Sequence, residues 1–445
     1  VAVAEAFGLG VNEARRFVVL DCEISIGPHD VVYVTGDSGS GKSVLLRALQ
    51  EDLKGEVAVL GEVPVARSEP IIETVGATVE QGLELLSRVG LNDAFLFLRT
   101  YDQLSDGQKY RYRIAKLIES GAQWWFADEF CSSLDRDTAK IVAFNLQKTA
   151  RAMGKAVVVA TVHQDLEADL QPTVRIHKRF GKEISVSYCT PSHTRSCTLA
   201  EEMRIEPGTH WHWRQLEAFH YRSSALPAAV RKIFSLWRGE ELCGVIVYGY
   251  PPARLGGRAK VLSGVGLREL NAQLSTITRV VVDPKYRSIG LGAHLVRETL
   301  PLVDTRYVEM SAVMARYNPF AEKAGMRLVA LQGPAKEIVK ISETLERLGF
   351  DLQLLASGRQ VLARLKALEV GDLLALRSAF KGNVSPRLRK EAANVKGVVY
   401  AKMAEYDRAV DCADLAKLAR LIRSVGALLQ VKAYLFWEKP VDKAS

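Results

Sequence analysis

Eight consecutive residues, Gly36-Asp37-Ser38-Gly39-Ser40-Gly41-Lys42-Ser43, combine the residue types that hold phosphate. The glycines let the backbone curl until its N–H groups point inward at anionic oxygens. Lys42 reaches the outer phosphates, and the Ser43 hydroxyl can hold Mg2+. Further along, Asp128 and Glu129 are adjacent acids behind the apolar run 123–127 (QWWFA). Unpaired carboxylates are costly to bury, so the pair reads as a metal-binding acid, Asp128, and a water-polarising acid, Glu129. His163 follows a second apolar run, 157–160 (VVVA), close enough to touch a terminal phosphate. This set of residues suits hydrolysis of a nucleoside triphosphate.

The elements that must position these groups are legible nearby. Residues 31–35 (VVYVT) form a β-branched run, as expected of a buried parallel strand entering the glycine loop. Residues 44–49 read as a helix whose positive end faces the phosphates. Leu104-Ser105-Asp106-Gly107-Gln108 opens a further helix with Ser105 and Asp106 at its anion-favouring end. Ser132-Ser133-Leu134-Asp135 follows the acid pair.

These five stretches, in this order, resemble the ABC-type ATPases over roughly residues 1–185. The resemblance implies ATP and Mg2+ at Gly36, Ser38, Gly39, Ser40, Gly41, Lys42, Ser43 and Asp128. Ser105, Gly107 and Gln108 then bind the ATP of the opposite protomer, and residues 132–135 cross that interface. One phosphate loop and one signature per chain imply a two-fold homodimer that sandwiches two ATP molecules. His163 is the residue that senses hydrolysis. Phe7, or alternatively Phe17, would stack on adenine, or either fills the core.

The stretch between Lys42 and the signature is short for a transporter ATPase, and it lacks a glutamine following a strand. Transporter ATPases dock on membrane subunits there. The expectation is therefore a cytoplasmic ATPase acting on nucleic acid or ribosomes, without a membrane partner.

A second glycine cradle lies downstream. Residues 276–283 (TITRVVVD) read as a strand, followed by Pro284-Lys285-Tyr286-Arg287-Ser288-Ile289-Gly290-Leu291-Gly292 and a helix from Ala293. This run resembles the R/Q-x-x-G-x-G/A motif of GNAT acyltransferases. There the loop amides and the helix end hold the pyrophosphate of acetyl-CoA. The resemblance implies an acetyl-CoA or other acyl-CoA site at Val281, Arg287, Ser288, Ile289, Gly290, Leu291, Gly292 and Asn318, beside a splayed strand at 307–314. Ala321 stands where the family often places a tyrosine acid. Tyr317 is the substitute acid, and Glu309 is either the base or a paired surface glutamate. Phe219-His220-Tyr221-Arg222 and the strand 242–248 loosely resemble phage Mom-type DNA-modifying relatives. Those aromatics either line a substrate pocket or fill a core.

The bulk properties fit a soluble globular protein. The chain has 445 residues, 48% hydrophobic and 25% charged, with net charge +9. No apolar run approaches the roughly 20 residues of a membrane span, and the first residues lack a secretory pattern. Six scattered cysteines read as reduced thiols. Residues 331–445 carry 20 Lys and Arg against 13 Asp and Glu, either a solvated helical face or a surface for DNA or RNA. Cys189, His193, Cys197, His210 and His212 share one window without the spacing of a common zinc finger. His210-Trp211-His212-Trp213 could alternatively stack on bases.

The fold expected is α/β: a P-loop ABC ATPase domain (1–185), then a GNAT-like α+β acyltransferase domain (186–445) with a helical insertion at 333–429. Residues 430–437 return to the sheet. A separate helical domain is the alternative architecture. The function expected is ATP hydrolysis coupled to CoA-dependent acyl transfer onto nucleic acid or another macromolecule. The alternatives are an ATP-gated nucleic-acid clamp on a degenerate acyltransferase fold, and a transporter ATPase with a regulatory domain.

Overall fold

The computed structural model describes residues 22–53, 55–190, 196–220, 226, 229–313, 315, 318–382, 384–393 and 402–440. Two sheets dominate. The first contains β1 (Val31–Thr35), β2 (Val57–Val59), β3 (Trp124–Ala127), β4 (Ala156–Ala160), β5 (Val174–Lys178) and β6 (Ile184–Tyr188), in the order β2-β3-β4-β1-β5-β6. All neighbours are parallel except β6, which pairs antiparallel with β5. Strands buried on both faces explain the continuous apolar runs. The phosphate loop leaves β1, the acid pair leaves β3, and His163 leaves β4. Their order in the sheet brings three distant segments to one edge.

Three helices frame this sheet's active edge: α1 (Lys42–Asp52), α2 (Asp106–Glu119) and α3 (Arg136–Met153). Ser105 caps α2, accepting from Gln108 N–H while the Gln108 side chain accepts from Ser105 N–H. Asp135 caps α3 through Thr138 N–H at 3.0 Å. Cap and ATPase motif are thus the same residues at both helix starts.

The second sheet holds β7 (Met203–Pro207), β8 (Val230–Arg238), β9 (Glu241–Gly249), β10 (Leu274–Val282), β11 (Tyr307–Ala312), β12 (Arg327–Gln332) and β13 (Lys432–Glu438). Its order is β12-β13-β11-β10-β9-β8-β7. Only β10 and β11 run parallel, paired from Leu274↔Tyr307 to Ile277↔Met310. Beyond Ile277 the two strands part, and β10 shows an irregularity against β9 between Ile277 and Arg279. Helix α4 (Leu291–Thr299) follows β10. Between β12 and β13 lies a group of helices spanning 336–429, with its own core of Ile338, Ile341, Leu376, Leu418, Ile422 and Val425.

Helix α3 joins the two sheets. Ala139, Val142, Ala143 and Leu146 belong to the core of the first. Ile141 and Phe144, on its other face, belong to the core of the second. A helix apolar on several sides is buried on several sides.

Glu309 corrects an expectation. Its carboxylate is fully buried and accepts four hydrogen bonds: Arg258 Nε at 2.9 Å, Arg258 Nη2 at 2.7 Å, Thr276 Oγ1 at 2.8 Å and Tyr434 OH at 3.0 Å. Burying a charge requires this degree of pairing. The carboxylate ties β10, β11 and β13 to the 258 turn and is closed to solvent, so it is not placed to serve as a base. Glu309→Ala strands the Arg258 guanidinium. Breaking a buried pair costs about 3–5 kcal/mol, so the midpoint of chemical denaturation, followed by tryptophan fluorescence, should fall accordingly. An unchanged midpoint would contradict this role.

Candidate functional site

The phosphate loop is set by contacts as much as by glycine freedom. Gly36 has φ 143°, and a Cβ there would stand 2.0 Å from the Lys178 carbonyl and 3.1 Å from Ser40 Oγ. Only glycine lets β5 close on the loop. Gly41, at φ 99°, starts α1 without a side-chain cap. The first amides of α1 therefore remain available to an anion. Ser40 Oγ is buried and has no hydrogen-bond partner among the described residues. An orphaned donor inside such a loop fits a phosphate oxygen.

Lys42 Nζ donates to the carbonyls of Gly36 and Asp37, both at 2.7 Å. Burial lowers its pKa, while Asp128 and Asp37 act in the opposite sense. An ammonium held over the loop beside two acids suits the β and γ phosphates with Mg2+. Ser43 lies in the first turn of α1, and Asp128 is exposed just after β3. Those two residues fit Mg2+ held together with the phosphates.

Glu129 is exposed, with a left-handed backbone at φ 47°. A non-glycine residue there stores strain. The next amide, Phe130 N–H, donates to Ala160 O at 2.8 Å, which fixes the turn to β4. Cys131 N–H donates to Tyr110 OH at 3.1 Å, joining this turn to α2. The His163 carbonyl accepts from Tyr33 OH, and its amide donates to Thr161 Oγ1 at 3.2 Å. Burial and then Arg136 push the imidazole below its usual value. A neutral ring offers one N–H donor and one acceptor.

Ser105 is exposed at the start of α2, with Gly107 and Gln108 partly exposed behind it. Ser38 and Gly39 lie in the loop, and the Phe180 ring comes within 3.8 Å of where a Cβ on Gly39 would stand. Phe180 is 63% exposed, at the turn after β5. Sequence reading placed the adenine-stacking aromatic at Phe7 or Phe17, which lie outside the described residues.

The second cradle is built differently from expectation in its side chains. Gly290 is exposed at φ 92° and starts α4 without a side-chain cap. A Cβ on Gly292 would touch the Phe320 ring at 3.6 Å. Val281, Ile289 and Leu291 are buried apolar residues, so only their backbone could face a ligand. Arg287 turns away from the cradle. Its guanidinium donates to Val282 O at 3.1 Å and lies 3.5 Å from Asp93. Ser288, at φ 75°, accepts from Asn145 Nδ2 at 2.5 Å. The Asn318 carbonyl accepts from Phe320 N–H at 2.9 Å. Tyr317 lies outside the described residues.

Sequence reading missed the groups that hold this loop to the ATPase. Arg111, buried on α2, donates to the carbonyls of Lys285 at 3.1 Å and Pro284 at 3.5 Å. Burial, with Arg287 adding to it and Asp135 opposing, lowers its pKa to about 10. Asp137, in the first turn of α3, pairs with Lys285 at 2.7 Å and Arg238 at 2.8 Å. Burial alone would raise the Asp137 carboxyl, but the hydrogen bonds from Lys285 and Arg238 outweigh it and hold it below the ordinary carboxylate range. These pairs join residues more than 90 positions apart, so no local pattern announces them.

No metal centre takes shape among the described Cys and His residues. No group of three or more His, Cys, Asp or Glu with ligand geometry occurs among the described residues. Cys197 is buried in the core of the second sheet, and the His212 ring meets Trp237 edge-on at 5.3 Å. His210 opens the short helix 210–216, Cys189 is partly exposed, and His193 lies outside the described residues. In the same helix Trp213 is buried and Trp211 exposed. His220 packs edge-on against Trp213 at 5.8 Å, whereas Phe219 is exposed. Tyr221 and Arg222 lie outside the described residues. Among the described residues no helix is long and apolar enough to cross a membrane.

No family model matches the chain. Curated proteins do. The lipoprotein-releasing system ATP-binding protein LolD of Maricaulis maris is 30% identical over 195 residues, covering 35% of this chain and 84% of that protein. The cytochrome c biogenesis ATP-binding export protein CcmA of Gluconobacter oxydans is 31% identical over 173 residues, covering 36% and 80%. The methionine import ATP-binding protein MetN of Nocardia farcinica is 30% identical over 203 residues, but the chain spans only 59% of it. Through a region that makes up little more than a third of its length, the chain belongs to the family of ABC-type ATPases.

Proposed function

We propose that the chain hydrolyses ATP as a sandwich homodimer and couples that cycle to a CoA-dependent acyl transferase acting on nucleic acid or another macromolecule. The observation that carries the transferase half is the parting of parallel strands β10 and β11 after Ile277, beside the uncapped Gly290 start of α4. A pantetheine arm can insert where two strands separate, with phosphates on the helix end. The exposed starts of α2 and α3 support the dimer, since Ser105 and the 132–135 turn are open to a second copy. Phe180 offers an apolar face for the adenine.

In this reading Gly36 to Ser43 bind the triphosphate, Glu129 orients water, and His163 donates to the terminal phosphate. Mg2+, held by Ser43 and Asp128, supplies charge neutralisation on the phosphates. Loop amides from Arg287 to Gly292 hold the CoA pyrophosphate.

A clamp without transfer chemistry is the second reading. The paired burial of Glu309 favours it, as does the buried Ala321 where an acid would stand. The relatives' names speak for transport. The short pre-signature segment and the second sheet speak for a different partner here.

Lys42→Ala should lose ATP binding, and Glu129→Gln should form a dimer on ATP addition in light scattering; a monomer at saturating ATP would sink the sandwich. Wild type should bind acetyl-CoA in calorimetry, and Gly290→Val should weaken it at least about tenfold, about 1.4 kcal/mol. Equal affinity in both would remove the CoA assignment. Labelled acetyl-CoA offered with tRNA, DNA and protein pools should label one pool. Binding without label would favour the clamp.

A further inference from the structure

The phosphate cradle of the second sheet is gripped by the ATPase. Three ATPase elements hold residues 284–288: the turn at 90–93, helix α2 and helix α3. From α2, Arg111 donates to the carbonyls of Pro284 and Lys285. From α3, Asn145 donates to Ser288 Oγ and Asp137 pairs with Lys285. From the turn, Asp93 faces Arg287, both side chains largely buried. The approach is tight. A Cβ on Gly90 would stand 2.8 Å from Ser288 Oγ and 3.0 Å from Arg111 Nη1.

The same two helices begin at the motifs that face the opposite protomer's nucleotide. Ser105 caps α2, and Arg111 lies six positions on, about 9 Å along the axis. Asp135 caps α3, with Asp137 in its first turn. Helices are rigid, so a shift at either start is carried to the cradle as displaced carbonyls and a displaced Ser288.

We propose that Arg111 is a positioning residue through which ATP at the signature motif and acyl-CoA at the 287–292 cradle are coupled in affinity. The inference rests on the reading of that loop as a CoA site. Arg111 touches neither ligand. Its guanidinium fixes the turn from which the cradle amides start, so the geometry seen by CoA phosphates depends on where α2 stands. Coupling of this kind is reciprocal: each ligand changes the other's affinity by the same factor.

The test is calorimetry of acetyl-CoA on the full chain carrying Glu129→Gln, with and without Mg·ATP. The expected result is an affinity change of about fivefold or more, matched by an equal change in ATP affinity with acetyl-CoA present. Arg111→Lys and Asn145→Ala should each retain both ligands and a cooperative thermal transition, while the coupling factor falls towards one. Two variants guard against Arg111→Lys failing to fold. Equal acetyl-CoA affinity with and without ATP overturns the coupling and leaves the CoA site standing. An unchanged factor in both variants overturns the role of Arg111. No acetyl-CoA binding in any condition overturns the CoA reading, and the coupling with it.

Discussion

Helix 136–153 contributes side chains to the cores of both sheets. Ala139, Val142, Ala143 and Leu146 are buried against the first sheet, Ile141 and Phe144 against the second. Each fully buried aliphatic or aromatic side chain is worth roughly 1.5–3 kcal/mol. Separating the sheets would expose Ile141 and Phe144 together with other residues of the second core. Apolar burial does not set direction, however. That comes from the polar ring around it: Asp137 between Lys285 and Arg238, Arg111 on two carbonyls, and Asn145 on Ser288. The helix begins at the 132–135 turn, so the constraint joining the sheets starts at the nucleotide edge.

The electrostatics of the two glycine loops differ. At the first, Lys42 stands among Gly36, Asp37 and Asp128, a charge set waiting for triphosphate and metal. At the second, Arg287 and Lys285 are already spent on Asp93 and Asp137. Backbone amides and a helix end are what remain there for an anion, a weaker attraction that depends on loop geometry. The ATPase loop carries its charge within itself, whereas the geometry of the second loop depends on its neighbours.

The first site was legible because its groups are local. Val31–Thr35, the glycine loop and the helix behind it are contiguous, and the acid pair and His163 each follow an apolar strand. The strand at 274–282 and the helix at 291–299 were legible for the same reason, as was the return of 432–438 to the sheet. Arg111 was not, because on a basic helix a buried arginine looks like a solvated one. Glu309 was read as either a base or a paired surface glutamate; it is paired but buried, and its partners Arg258 and Tyr434 are 51 and 125 positions away. Ser288 reads as a loop serine until Asn145, 143 positions earlier, is placed beside it.

On this reading nucleotide and cradle belong to one mechanical unit. Hydrogen–deuterium exchange of the amides in 284–292, followed in the full chain with and without Mg·ATP, tests it without needing acyl-CoA. ATP should change exchange in this segment together with protection in 36–43. Protection confined to 36–43, with 284–292 exchanging identically in both states, would contradict it.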